Sequence, residues 1–387
     1  MNKRKNPKPR IGIVVISEQL TEKDAAFTAI QNFINIFGET TESITIFGPE
    51  RTAIKDDQVY LQSMKRYGRP TLIHEFVYHF YLQLRLTFAL IRSRNDMDAV
   101  FFHLGGTVLL LPILFSRVLG LNPIVIVTGS VKTSYIEQHE QTIGTKVMTE
   151  TIGALEKVSC GLASKVVFLS ESMKSEFREI NDDRITVANL NYIDTSDFDS
   201  KISESKREYD LIYLGRFERV KGVKKFAQAV SILVENHSDI QVAFVGDGTL
   251  GSEVENIITE NNLNDNVERL GWVNRKKVKE LLGNSRYLVL PSESEGVPKT
   301  LLEAMSCGTV PIATQVGGIP DIIKHEETGF LLSSNEPNQM AREIDQYIKK
   351  EMWDNLSFHA REYIISRYSF ENSKERFRSI LQEALSD

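Results

Sequence analysis

The chain has little cysteine: Cys160 and Cys307 are the only two in 387 residues, and they lie far apart. A disulfide framework and a thiolate zinc site are therefore excluded, and a reducing, cytoplasmic setting is expected. The histidines show no metal-ligand spacing with cysteine or carboxylates, and no Gly-x-Ser-x-Gly nucleophile elbow occurs. Neither a resident metal, nor another cofactor, nor serine hydrolysis is expected. An excess of positive charge is also missing. The 46 Lys and Arg against 52 Asp and Glu leave a net charge of −6. That argues against nucleic acid as a partner, because phosphate binding needs clustered cations. Long uncharged apolar runs are absent too. Residues 108–119 (VLLLPILFSRVL) are too short to span a membrane, and residues 71–94 include Glu75 and Arg85.

What is present is an alternation of short β-rich runs with helical spacings, the pattern of parallel sheets covered on both faces. In the first half, strands are expected at 11–16, 44–47, 99–103, 124–127 and 166–169. Helices are expected at 21–37, 71–94, 108–119 and 146–162. Residues 194–209 (DTSDFDSKISESKREY) are almost wholly polar and read as a linker. The alternation then restarts, with strands at 210–214, 241–245, 267–270, 287–290 and 310–313, and two helices at 351–385. The chain thus reads as α/β, with two Rossmann-like parallel-sheet domains facing a cleft. The first would run over 1–205 on the acceptor side and the second over 206–365 as the donor-binding domain. A last helix at 366–387 would be free to pack back on the first domain. Ligands of such sheets sit at the carboxyl ends of strands, beside helix N-termini.

Residues 1–10 (MNKRKNPKPR) hold five cations and no acid, and the apolar run that follows is too short for a signal peptide. They read as a mobile basic tail. With the aromatic and basic segment 71–94, it suggests peripheral contact with the inner face of an anionic membrane. A buried helix is the plainer reading of 71–94.

The richest stretch is 290–318, LPSESEGVPKTLLEAMSCGTVPIATQVGG. A strand ends, a polar loop carries Glu293 and Glu295, and Pro298 stands at the expected first helical position, where its missing N–H costs nothing. The free N–H groups around Lys299, Thr300 and Leu301 would form an anion site, with Lys299 adding charge. Glu295 and Glu303 bracket it. Carboxylates beside a phosphate suit hydrogen bonds from sugar hydroxyls, so the ligand expected is a sugar nucleotide. The second cluster, Gly215-Arg216-Phe217-Glu218-Arg219-Val220-Lys221-Gly222, sets a forked cation and a point cation at a strand-to-helix turn. That pair could hold a departing diphosphate, although a solvated basic turn reads equally well.

Gly-Arg-x4-Lys-Gly, then Gly246-Asp247-Gly248, then Glu295-x7-Glu303 followed by Gly317-Gly318 occur in this order over the second half. Together they resemble the donor half of retaining glycosyltransferases of the GT-B fold, family 4 (glycosyl transferases group 1). The resemblance implies that Arg216 and Lys221 hold the diphosphate, Glu303 the ribose hydroxyls and Glu295 the donor sugar. Gly296, Val297, Pro298, Lys299, Thr300 and Leu301 would contact phosphate or sugar, Gly246 and Gly248 would belong to the donor site, and Val273 would flank the base. It implies metal-independent transfer, with retention, from a nucleoside diphosphate sugar to a saccharide or lipid-linked acceptor. The first half resembles the family only in layout. Where many members have a Gly-Gly loop this chain has Ser17-Glu18-Gln19-Leu20, and where many have a histidine it has Thr128-Gly129-Ser130. Glu18, His103, Thr128 and Ser130 are the candidates for that side of the site.

Other readings remain open in the sequence. Thr128 at the histidine position suits a sugar-nucleotide-binding or regulatory subunit with little activity, and a nucleotide-sugar epimerase shares the architecture. Gly246-x-Gly248-x-x-Gly251, with Glu268 further on, has the form of a dinucleotide fingerprint. It does not open its domain, and it leaves Arg216, Lys221, Glu295 and Glu303 unexplained. Asp96-x-Asp98 mimics a metal-binding pair but precedes its strand, and Asp197-x-Asp199 lies in the linker.

Overall fold

The computed structural model describes residues 8–16, 25–49, 59–64, 72–103, 106–129, 131–138, 142–174, 177, 182–188, 190–193 and 207–386. Two compact units divide the chain. One runs to Asn191 and takes in the chain again from Glu371; the other is Tyr192–Phe370.

Among the described residues the first unit has seven parallel strands: β1 (Arg10–Val15), β2 (Ser43–Pro49), β3 (Val59–Met64), β4 (Ala99–His103), β5 (Pro123–Val127), β6 (Lys165–Phe168) and β7 (Ile185–Val187). Their order is β3-β2-β1-β4-β5-β6-β7. Both β4 (AVFFH) and β5 (PIVIV) are buried at every position, as expected of central strands with helices on both faces. Helices α1 (Ala25–Phe37), α2 (Leu72–Arg92), α3 (Leu110–Val118), α4 (Val131–Gln138), α5 (Ile143–Leu162) and the short α6 (Glu171–Lys174) connect them.

The second unit repeats the scheme with β8 (Tyr209–Leu214), β9 (Val242–Val245), β10 (Val267–Leu270), β11 (Ser285–Leu290), β12 (Val310–Thr314) and β13 (Phe330–Leu332), ordered β10-β9-β8-β11-β12-β13. Its helices are α7 (Val223–Asn236), α8 (Gly251–Glu260), α9 (Arg275–Gly283), α10 (Lys299–Ser306), α11 (Ile319–Ile322), α12 (Pro337–Lys349) and α13 (Trp353–Tyr368). The last helix, α14 (Phe370–Ser386), belongs almost wholly to the first unit. Phe377 meets the rings of Phe33 and Phe37 at 6.4 and 6.1 Å, and Lys374 pairs with Glu39.

The units part at Asn191 and Phe370 rather than at 205 and 365, where composition placed the boundaries. The reason lies in contacts that composition does not register. Ile193 N–H donates to the Tyr368 carbonyl at 2.8 Å and the Tyr192 and Phe370 rings meet at 4.9 Å, so the two crossings are tied side by side. Most of the polar stretch read as a linker (194–206) lies outside the described residues.

Three strands escaped the sequence reading. Two of them, β7 and β13, have three residues each, and β3 (VYLQSM) carries polar Gln62 and Ser63. Helices α4, α6 and α11 escaped as well, and so did α12, although Pro337 opens it and Met340, Ala341, Ile344 and Tyr347 are buried at helical spacing.

In each sheet the strand order reverses between the first and fourth strands of the unit, β1 beside β4 and β8 beside β11. Ligand sites of open α/β sheets form at the carboxyl ends of such a pair, because the flanking loops diverge there.

Candidate active site

In the second unit the loops after β8 and β11 leave the switch point together and are locked by backbone bonds. Glu293 N–H donates to the Val220 carbonyl at 2.8 Å, and Gly318 N–H donates to the Gly296 carbonyl at 2.8 Å. Phe217 N–H reaches the Asp247 carbonyl at 2.9 Å, adding the loop after β9. Two glycines make these approaches possible. At Gly246 (φ 136°) a Cβ would sit 1.9 Å from the Gly215 carbonyl oxygen, and at Gly317 (φ 55°) it would sit 1.6 Å from that of Glu295. Neither position can carry a side chain without moving backbone.

This frame sets the charged groups. Lys221 closes a short turn ahead of α7, and its Nζ donates to Glu295 Oε1 at 2.7 Å. Ser292 Oγ donates to the same oxygen at 2.8 Å. The pair is largely withdrawn from water, so Glu295 is held in one orientation. Glu293 is occupied by Lys225 at 3.3 Å and Arg219 at 3.7 Å. Arg216 is exposed, its carbonyl accepts from the Tyr213 hydroxyl at 2.9 Å, and its guanidinium has no ion-pair partner among the described residues.

Helix α10 begins at Lys299 and not at Pro298, which takes the N-cap position with extended backbone. The expected first helical position shifts by one because Pro298 keeps ψ at 122°, outside the helical region. Leu301 N–H returns to the Pro298 carbonyl at 3.2 Å. Among the described residues the N–H groups of Lys299 and Thr300 have no acceptor, so they face outward at the positive end of the helix dipole. Leu301 and Val297 are buried and anchor the turn, and Gly296 and Thr300 are partly exposed. Glu303 is only 7% exposed, and its carboxylate has no hydrogen-bond partner among the described residues. Burial pushes its pKa above the ordinary carboxylate range, and Lys299 and Arg275 partly offset that. Burial likewise pulls the Lys299 ammonium down, against the opposing pull of Glu303. A carboxylate and an ammonium thus stand in a partly dry site, each short of partners.

Arg275 went unread in the sequence. It opens α9, whose N-cap Asn274 accepts from Lys277 N–H at 3.0 Å, and it lies within electrostatic reach of Glu303 and Lys299. The signal was a strand-to-helix turn, Asn274-Arg275-Lys276-Lys277, of the same type as the two that were read. Val273 is half-buried just before it, next to Trp272, which is 69% exposed.

Such an assembly can bind an anion at a helix N-terminus and accept hydrogen bonds from a diol at the adjacent carboxylate. Residues 194–367 match the family of glycosyl transferases group 1. Among curated relatives, N-acetyl-alpha-D-glucosaminyl L-malate synthase of Bacillus anthracis is 32% identical over 57% of this chain and 60% of its own length. Alpha-D-kanosaminyltransferase of Streptomyces kanamyceticus is 24% identical over 76% of this chain and 79% of its own. The chain spans 60% to 61% of the length of three of the curated relatives it matches. Among solved structures, Anabaena HepE in complex with UDP superposes with a TM-score of 0.75 at 15% identity, covering 97% of this chain and 100% of that one. That likeness shows the fold, two Rossmann-like domains of the GT-B class.

Within the matched segment the dinucleotide fingerprint has a packing explanation. Gly246 and Gly248 follow β9, not a switch-point strand, and both lie against the backbone of the loop after β8. Glu268 accepts from the Tyr209 hydroxyl. Outside the segment, Asp98 is bound by Arg10, through its N–H at 2.7 Å and its guanidinium at 3.1 Å, so the Asp96-x-Asp98 pair includes a structural clamp.

On the first unit's switch point, Glu18 and Ser130 lie outside the described residues. His103 ends β4, pairs in register with Val15 and is 1% exposed. Both its ring nitrogens are unpartnered among the described residues, and burial lowers its pKa to about 4, so the ring is neutral. Thr128 is half-buried just beyond β5. A second group that sequence did not mark sits behind this loop. Glu156, on α5 and 2% exposed, accepts from Thr107 Oγ1 at 3.0 Å, Val131 N–H at 2.8 Å and Lys132 N–H at 3.2 Å. It therefore fixes the start of α4 and the loop after β4 with one carboxylate.

Proposed function

We propose that the chain is a retaining, metal-independent glycosyltransferase that moves a hexose-type sugar from a nucleoside diphosphate sugar to a saccharide or lipid-linked acceptor. The observation that carries this reading is Glu303, a buried carboxylate without a hydrogen-bond partner among the described residues, one turn from the unpaired N–H groups of α10. A ribose diol and a phosphate together meet both needs. The likeness to an N-acetyl-alpha-D-glucosaminyl L-malate synthase and to an alpha-D-kanosaminyltransferase, and the UDP in the HepE complex, support a nucleotide-sugar donor.

In the proposed reaction the bond from the anomeric carbon to the β-phosphate oxygen breaks, and its electron pair stays on the phosphate. Arg216 and Lys221 stabilise that charge as it develops. The acceptor hydroxyl oxygen bonds to the same face of the sugar, and its proton passes to the departing phosphate. Glu295, oriented by Lys221 and Ser292, keeps an oxygen for the sugar hydroxyls. Glu18, His103, Thr128 and Ser130 stay the candidates for the sugar side in the first unit.

The test is a binding screen of nucleotide sugars followed by transfer assays with the matched donor. Glu303→Ala should lose donor binding, and Arg216→Ala should retain binding but lose ~100–1,000-fold in turnover. Near-normal turnover in both variants would remove the site assignment. Donor binding without product across a broad acceptor panel would favour the regulatory reading that Thr128 motivates.

A further inference from the structure

The helices that cover one face of the first unit present an unusual surface. On α2 the exposed side chains include Phe80, Tyr81, Leu84, Phe88 and Ile91, spaced so that they share one face. The opposite face, Leu82, Leu86 and Leu90, is buried. Neighbouring α3 adds Leu114, Phe115 and Val118, the last 74% exposed. The two helices are fixed to each other, since Gln83 Oε1 accepts from Leu111 N–H at 2.9 Å at the start of α3. A contiguous run of exposed apolar side chains on a soluble domain marks an interaction surface.

Along residues 76–95 and along α3 the only formal charges are positive. The sequence has no Asp or Glu between Glu75 and Asp96, or between Asp98 and Glu137. Cations are present instead. Arg92 and Arg94 are exposed at the end of α2, and among the described residues neither has an ion-pair partner. Arg85 lies over the Tyr81 ring at 5.8 Å. No helix among the described residues is long and apolar enough to cross a membrane. A second copy placed on this face with two-fold symmetry would set its own arginines against these, and Glu75 near the start of α2 is the single acid in the sequence of the two helices.

We infer that the exposed face of α2 and α3 docks on an anionic lipid surface, its aromatic and aliphatic side chains entering the boundary of headgroups and acyl chains and Arg92 and Arg94 meeting lipid phosphates. Apolar rings flanked by arginine are the composition of an interfacial helix. The inference does not depend on the transfer reading.

The test is co-sedimentation of the full chain with vesicles of phosphatidylcholine alone and of equal parts phosphatidylcholine and phosphatidylglycerol. The chain should prefer the anionic vesicles. The double variant Phe80→Glu/Phe88→Glu should bind them roughly ten-fold or more weakly, with melting temperature and nucleotide binding unchanged. The double variant Arg92→Glu/Arg94→Glu should lose the anionic preference, and added salt should narrow its difference from wild type. Vesicle binding unaltered in the phenylalanine variant would overturn the inference and leave the basic residues 1–10 as the attachment. Self-association that this variant abolishes, without vesicle binding, would overturn it in favour of a second copy.

Discussion

The two switch points of the molecule are built alike and held differently. In the second unit four loops are cross-bonded through backbone groups, and glycines allow carbonyls to pass where a Cβ would collide. In the first, the loop before α4 and the loop after β4 share one buried side chain, Glu156. A frame made of backbone tolerates many side-chain changes but no added Cβ at its glycines. A frame made of one carboxylate fails with that carboxylate. The same topology therefore distributes its vulnerability in opposite ways.

The most severe break expected is Gly317→Ala. The added Cβ overlaps the Glu295 carbonyl, and alanine disfavours the left-handed backbone, so stability should fall by about 2–4 kcal/mol. Denaturant melts should show the loss in the second unit, with donor binding lost at the same time. A wild-type melting curve would mean that the loops after β11 and β12 part easily.

Glu156→Ala comes next. It strands the buried hydroxyl of Thr107 and the half-buried N–H groups of Val131 and Lys132, at a cost of ~1–3 kcal/mol. The comparison requires this effect to stay in the first unit. Donor affinity should be unchanged while turnover drops, and hydrogen exchange should rise around 128–132. Equal damage to donor affinity would show that the two frames are not separable.

The smallest effect sharpens the contrast by its sign. Glu303 has a raised pKa in the folded chain, so above the ordinary carboxylate range the folded state holds a proton that the unfolded state has released. Stability from this group therefore falls as pH rises through that window, and Glu303→Gln should raise stability near neutral pH by about 0.5–1 kcal/mol. Donor binding should change the other way, since an ionised Glu303 is the better acceptor for a diol. Thermal melts and titrations across pH check both slopes. A variant that is less stable would show that the carboxylate is compensated in the free protein.

Much of the second unit was legible because its chemistry is written in short-range signals. Glycines at strand ends, a proline before α10 and cations at strand-to-helix turns all act within a few residues. The limits were equally physical. Gly246 and Gly248 match a nucleotide fingerprint in form because spacing cannot distinguish a phosphate from a neighbouring loop as the object approached. Arg275 and Glu156 were missed because their partners lie far away in sequence. The boundary at 205 was drawn on polarity, whereas the chain's crossings are tied at Ile193 and Tyr368.

The α/β class, the two sheets and the order of the motif loops follow from apolar periodicity and local turn chemistry, which one chain carries residue by residue. Which of those loops lie together, and which carboxylates are already paired, comes from the tertiary structure. It alone showed Glu295 held by Lys221, Glu303 buried without a partner and α14 returned to the first unit. Pairing and burial are properties of distance in space, and along one chain that distance is set by the sheet order rather than by residue number.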